Sequence, residues 1–255
     1  MQLLAKLYFL SVILFIGFHT NAQVTSNFID TTLNAKLLYL GYALQLPAGD
    51  MSDRFGANNN IGAGINFKLG NNWLLGAEFN FIFGGRVKED SILNKLLTST
   101  GGIVGTNGNY ETIFLSERGY SLMGKFGKIV PVFHSNPNSG ISLMIGAGFL
   151  QHKIKFEDPN HQVPEVDDDY AKGYDRLTNG FAISQSLGYI HLDKRKLVNF
   201  SISAEALEGF TQNRRDWNFD QMQKDNSKRL DVLIGLKLAW LIPFYGKNEE
   251  RIYTY

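Results

Sequence analysis

Eight large apolar residues occupy every second position from 230 to 244: Leu230, Val232, Ile234, Leu236, Leu238, Trp240, Ile242 and Phe244. Between them lie smaller or charged residues, among them Asp231, Gly235, Lys237 and Ala239. A period of two belongs to a β-strand, whose successive side chains point to opposite faces. The run predicts one long strand with an unbroken apolar face. At about 3.3 Å per residue it is longer than most strands of water-soluble domains and can cross a tilted bilayer.

Seven segments upstream repeat the pattern less fully. Their apolar faces begin Leu38-x-Leu40-x-Tyr42-x-Leu44-x-Leu46, Ile61-x-Ala63-x-Ile65-x-Phe67 and Trp73-x-Leu75-x-Ala77-x-Phe79-x-Phe81-x-Phe83. A poorer fourth runs Tyr120, Leu122, Phe126, followed by Leu143 to Phe149, Phe181 to Tyr189 (interrupted by Gln185) and Phe200 to Ala206. The connections sort by length. Short turns fall at Gly70-Asn71-Asn72, around Ser135 to Gly140, and at Asp193-Lys194-Arg195-Lys196; long ones span 47–59, 85–118, 155–178 and 213–228. Short and long connections alternating around eight strands put all short turns on one side of a closed sheet and all long loops on the other, as in transmembrane barrels.

The second face of each strand decides between a ligand-carrying barrel and a membrane-spanning one. It carries glycine together with Lys68, Glu78, Asn80, Lys125, Glu205 and Lys237. An interior of that kind holds no lipophilic ligand, so the apolar face looks outward to lipid. Tyr42, Trp73, Phe81, Phe83, Tyr120, Phe126, Tyr189, Phe200, Phe210, Trp240, Phe244 and Tyr245 fall mainly near strand ends, where interfacial girdles form. The fold expected is all-β: an eight-stranded antiparallel up-and-down transmembrane barrel with four long loops and short periplasmic turns.

Residues 1–22 read as a secretory signal, with Lys6, an apolar run from Leu7 to Phe18, and Thr20-Asn21-Ala22 before Gln23. The expected division is signal 1–22, periplasmic segment 23–34, barrel 35–245 and periplasmic tail 246–255. Cysteine is absent, which excludes a lipidated N-terminal cysteine, disulfides and thiolate metal sites. A formal net charge of +1 argues against a nucleic-acid partner.

With its signal, eight strands and long loops, the chain resembles the small OmpA/OmpX-type outer-membrane barrels. The stretches Gly49-Asp50-Met51-Ser52-Asp53-Arg54-Phe55-Gly56 and Lys172-Gly173-Tyr174-Asp175-Arg176-Leu177-Thr178-Asn179-Gly180-Phe181 are similar to uncharacterised barrel proteins of Bacteroidota. The resemblance implies an outer-membrane location and no particular activity. Nothing after the eighth strand resembles the peptidoglycan-binding domain of OmpA itself.

An eight-stranded barrel is just wide enough for side chains to fill. Lys68, Glu78, Asn80, Lys125, Glu205 and Lys237 are therefore expected to form a packed polar lumen network, with Lys237 pairing Glu78 or Glu205. The alternative is a narrow pore. No Ser, His and carboxylate gather at one height, so no catalytic residue is assigned; His152 and His161 would serve a lipid-modifying enzyme, the other alternative. Neither cofactor nor metal is expected, and Glu165-Val166-Asp167-Asp168-Asp169 reads as a solvated acidic loop, lacking EF-hand spacing. Residues 89–97 predict a short amphipathic helix with Ile92, Leu93, Leu96 and Leu97 on one face. With Met51, Phe55, Arg214, Arg215 and Trp217 these are the loop residues expected to meet a partner. Partners expected are outer-membrane lipid and a protein in the membrane or at the surface, the chain acting as a binding protein or as an accessory subunit of a larger assembly.

Overall fold

The computed structural model describes residues 32–89, 91–132, 136–193 and 198–245, with the side chain of Asp168 not described. The proposed signal, the periplasmic segment up to residue 31, His134, the 194–197 turn and the tail 246–255 lie outside the described residues.

Eight strands form a closed antiparallel ring: β1 (Ala35–Gly49), β2 (Asn58–Lys68), β3 (Trp73–Gly84), β6 (Phe114–Pro131), β7 (Gly140–Glu157), β8 (Thr178–Leu192), β9 (Asn199–Asn213) and β10 (Lys228–Tyr245). Two two-residue strands, β4 (Ile103–Val104) and β5 (Tyr110–Glu111), make a separate hairpin within the second loop. Each barrel strand pairs with its chain neighbour. The ring closes where β1 meets β10, from Ala35 opposite Tyr245 to Gly49 opposite Asp231. Closure leaves no sheet edge, so through the shared height of the wall backbone donors and acceptors find partners in the neighbouring strands without water.

The opening alternation settles which way each residue faces. Leu230, Ile234, Leu236, Leu238, Trp240, Ile242 and Phe244 are exposed on the outer wall, while Asp231, Leu233, Lys237, Ala239 and Leu241 are buried within. The outer belt continues through Leu40, Leu44, Ile61, Leu75, Leu122, Leu143, Ile145, Leu187 and Ile202, all more than a third exposed. A belt of this extent is stable only against hydrocarbon. Trp73 stacks on Phe126 at the turn end with ring centroids 4.9 Å apart, and Phe81 on Phe83 at the loop end at 6.0 Å. Tyr245 departs from the expected girdle: its position in the β10 alternation turns it inward, where it packs against the buried cluster at the turn end.

The first of the four loops expected to be long is short. Residues 50–57, which include a one-turn helix Met51–Arg54, connect β1 to β2 as tightly as residues 132–139 connect β6 to β7. The first loop is short because β1 runs on to Gly49, paired there with β10, and β2 begins at Asn58, three residues before its apolar stretch.

The interior is layered. At the turn end Leu37, Leu74, Ile129, Ile190, Leu192 and Leu241 form one apolar cluster. At the loop end Met51, Phe55, Ile82, Met123, Leu150, Ile154, Leu207 and Leu233 form another, joined by Ile92, Leu93, Ile103, Val163, Val166 and Tyr174 from the loops. Polar residues occupy the middle. The expected lumen, polar throughout, is thus corrected: apolar plugs close both ends, because inward positions near the strand ends carry Leu and Ile where the central ones carry charges and glycine.

Candidate functional site

The middle layer is built around Glu78 on β3, 3% exposed. Its Oε1 lies 2.6 Å from Lys237 Nζ and accepts a 2.6 Å hydrogen bond from Asn80 Nδ2. Its Oε2 accepts from Lys125 Nζ at 2.9 Å and from the Tyr39 hydroxyl at 2.6 Å. Glu205 balances the second lysine charge, 3.1 Å from Lys125 and 3.7 Å from Lys237. Two carboxylates and two ammoniums therefore neutralise one another, which is what makes their burial tolerable. Glycines make room for the long side chains: a Cβ on Gly64 would come within 2.4 Å of the Tyr39 ring. Across the lumen the facing positions of β7, β8 and β9 are small, among them Ser142, Ser186, Ser201 and Ser203, and beside them remains a cavity of about 40 Å³. Lys68 stands apart from the network. It is four positions nearer the turn end than Gly64, the residue paired with Glu78, and it donates instead to the Leu33 carbonyl and to Asn138 Oδ1 at 2.9 and 2.8 Å.

Above the upper plug, residues from all four loops meet in a second charged assembly. Arg54 reaches Glu89 at 3.0 Å and donates to the Thr178 hydroxyl at 3.1 Å. Arg176, with its side chain 3% exposed, bonds the other oxygen of Glu89 at 3.1 Å and also bonds Asp220. Asp225 takes Arg229 and the Ser227 backbone N–H. A neighbouring clasp joins Arg215 to Asp175 through two bonds of 2.8 and 2.6 Å. Each loop contributes a partner that another loop needs, so the cap is one tied unit. Burial alone pushes the Asp225 carboxyl up, but the Arg229 hydrogen bond and the Ser227 N–H outweigh it and hold it at about 2, below the ordinary 3.8. A lowered carboxylate pKa contributes stability that is complete above the unfolded value and lost as pH falls through the folded one. Cap protection is therefore expected to weaken between pH 4 and pH 2, read as faster pepsin cleavage in residues 214–227.

Several expected contact residues are not on the surface. Met51 and Phe55 are 0% and 1% exposed and plug the lumen; Ile92 and Leu93 are buried in the same cluster. The expected helix over 89–97 reduces to turns and a single 3-10 turn, Asn94–Leu96, because Ile92 and Leu93 are drawn down into the plug. Leu96 packs against that cluster from its edge, while Leu97 and Trp217 are exposed. Arg215 is held by Asp175, and Arg214 donates to Asn179 at 2.6 Å.

His152, one of the two histidines that would serve a lipid-modifying enzyme, is fully buried inside the barrel, its Nε2 2.8 Å from Asp231 and its ring edge-on to Phe55 at 5.5 Å. Thr211 donates to the same carboxylate. With Asp231 in the middle and both partners bonded to it, the trio presents no activated nucleophile. In the acidic loop Asp169 pairs with Lys172 and Asp167 with His161. Among the described residues no group of three or more His, Cys, Asp or Glu side chains is placed to hold a metal ion.

The outer wall has its own irregularity. A groove of about 620 Å³ runs along β6 to β9, floored by Ala204 and Ala206 and flanked by Phe126, Leu143, Ile145 and Leu187. Gln185 faces outward into it. Glu208 also faces outward, opposite Ile183 and Val232.

Neither a protein-family model nor a curated protein sequence matches the chain. Among solved structures, the chain is similar to the attachment invasion locus protein Ail of Yersinia pestis: 12% identity and TM-score 0.44, over 82% of this chain and 99% of that one. Neisserial surface protein A shares 7% identity at TM-score 0.39, over 81% and 97% of the two chains. The outer membrane protein OprG of Pseudomonas aeruginosa shares 10% at TM-score 0.37, over 86% and 100%. The barrel itself rests on this chain's closed ring of eight strands and its outward apolar belt.

Sequence reasoning missed Arg54, Glu89, Arg176, Asp220, Asp225 and Arg229. They come from four separate loops at no regular spacing, and no local pattern joins them. The Asp225–Arg229 pair alone has a local signature, at i and i+4.

Proposed function

We propose that the protein is a non-enzymatic, non-conducting outer-membrane barrel whose tied loop cap faces the cell surface and serves as a binding platform. One observation carries this reading: two apolar plugs and a neutral ionic layer fill the lumen, while the loops are fastened to one another by Arg54, Glu89, Arg176 and Asp220. Ordering four loops costs conformational entropy, and compact ordered loops on a barrel rim are commonly functional. Arg118 and Lys153, opposite each other across β6 and β7, sit one row beyond outward Tyr120, at the level where headgroup phosphates would meet them. Purified protein in planar bilayers is expected to give no sustained single-channel steps; steady conductance would overturn the closed-lumen reading in favour of a narrow pore.

A second reading is supported by the wall groove. Gln185 within the apolar belt, with small residues around it, suits a protein partner docked in the plane of the membrane, as in an accessory subunit of a secretion or insertion machine. A photocrosslinker at position 185 would then capture a defined protein in native membranes, and a lipid-only adduct would defeat this role.

A further inference from the structure

We propose that the cavity in the loop cap between residues 50–54 and 225–229 binds a small solute carrying one carboxylate with an ammonium or hydroxyl beside it, an amino acid being the simplest such molecule. The proposal rests on the reading of the cap as a binding platform and names what the platform holds. The cavity measures about 410 Å³, and its lining sets Arg54, Arg176, Lys228 and Arg229 against Asp50, Asp53, Glu89 and Asp225, four charges of each sign. That is room for a solute of a few dozen atoms at most.

Most of the carboxylates in this wall are already engaged. Both oxygens of Glu89 are taken, by Arg54 and Arg176. Asp225 is taken by Arg229 and by the Ser227 N–H. Two buried donors, Nη1 of Arg176 and Nη1 of Arg229, have no acceptor, against one buried carboxylate oxygen of the cap without a donor, Oδ1 of Asp220, which lies outside the cavity lining. A guanidinium offers five N–H groups in a fixed fork, so each of these spare Nη groups calls for an acceptor oxygen, which a carboxylate supplies. The local field agrees: burial first, and then the charge of Arg229, lowers the pKa of Arg54. An anion among these guanidiniums relieves that repulsion.

Asp50 and Asp53 select among anions. Asp50 already receives the Leu230 N–H at 2.7 Å. The Asp53 carboxylate repels a dianion such as phosphate and attracts a donor. A single carboxylate seated on the arginines, with an ammonium or hydroxyl toward Asp53, satisfies both walls. Beneath the cavity lie the buried Met51 and Phe55, so the solute is held and not passed into the lumen.

The test uses the full folded barrel in detergent, with isothermal titration of alanine, glycine, acetate and inorganic phosphate at matched ionic strength. Saturable binding of the two amino acids is expected, with acetate weaker and phosphate weakest. Arg229→Gln should weaken glycine about tenfold, the loss of one charge-assisted bond. Asp53→Asn should weaken glycine while leaving acetate unchanged; this variant keeps the arginine clasp, so it answers the question even if Arg229→Gln loosens the cap. The proposal is overturned if the wild-type protein binds no carboxylate, if phosphate binds as tightly as glycine, or if Asp53→Asn affects acetate and glycine alike. Failure here with the lumen still non-conducting removes the ligand assignment alone, whereas conductance removes the closed-barrel reading on which it stands.

Discussion

Glu78→Gln is expected to destabilise the folded barrel by about 3–5 kcal/mol, the cost of stranding buried charge by removing one partner. Glutamine preserves the shape of the side chain and can still accept from Tyr39, so the change isolates charge from packing. What remains for Lys125 and Lys237 is Glu205 alone, at 3.1 and 3.7 Å and itself partly exposed at 17%. One carboxylate then serves two ammoniums in a water-poor layer between apolar plugs. Urea unfolding from lipid vesicles, followed by tryptophan emission and by the gel shift of the folded band, reads the loss directly. The double change Glu78→Leu with Lys237→Met leaves Lys125 and Glu205 as a neutral pair and should recover a large part of it. A single-variant midpoint indistinguishable from the parent would mean that water, and not Glu78, compensates these lysines. Conductance is not expected from either variant, because Leu37, Leu74 and Ile129 below and Met51 and Phe55 above remain in place.

Arg176→Ala should cost about 3 kcal/mol within the cap while leaving the barrel folded. The substitution frees one oxygen of Glu89 and the Asp220 carboxylate at once, both in surroundings from which water is largely excluded. The second and fourth loops both lose the partner that they find in the third. The barrel wall, held by continuous strand pairing, does not depend on that contact, so the two regions should open separately. Limited proteolysis is the measurement: cleavage within 85–113 and 158–177 should accelerate by roughly two orders of magnitude at that energy, with the gel shift of the folded barrel intact. Unchanged loop protection would show that the apolar contacts of Ile92, Val163 and Val166 hold the cap without the arginine.

The wall of the barrel is legible residue by residue, because a transmembrane strand has only two environments and they alternate. Leu236 must face lipid if Lys237 faces the lumen, and no tertiary information is needed to say so. The central charges could be listed for the same reason. Their pairing could not: strand register decides that Glu78, Lys125, Lys237 and Glu205 share one height while Lys68 falls at the turn end. Positions near the strand ends misled, since Leu37, Leu74, Ile129 and Leu241 lie on the inward face and close the lumen with apolar plugs in place of a polar passage.

In the loops the periodicity ends, and so does its authority. Met51, Phe55, Ile92 and Leu93 are apolar residues in loop sequence, which equally describes a surface that awaits a partner and a plug folded into the mouth of the barrel. Only the folded chain distinguishes the two, by bringing the first two loops down onto Ile82 and Leu233. Apart from Asp225 and Arg229, four positions apart, the arginines and carboxylates of the cap are joined in space across four loops and by nothing along the chain. The sequence alone determined strand number, the side of each residue and the lipid-facing belt, because those follow from an alternation fixed by backbone geometry. The tertiary structure decided which charges neutralise one another and what closes the lumen, because ion pairs and plugs depend on register and loop path, which local patterns do not encode.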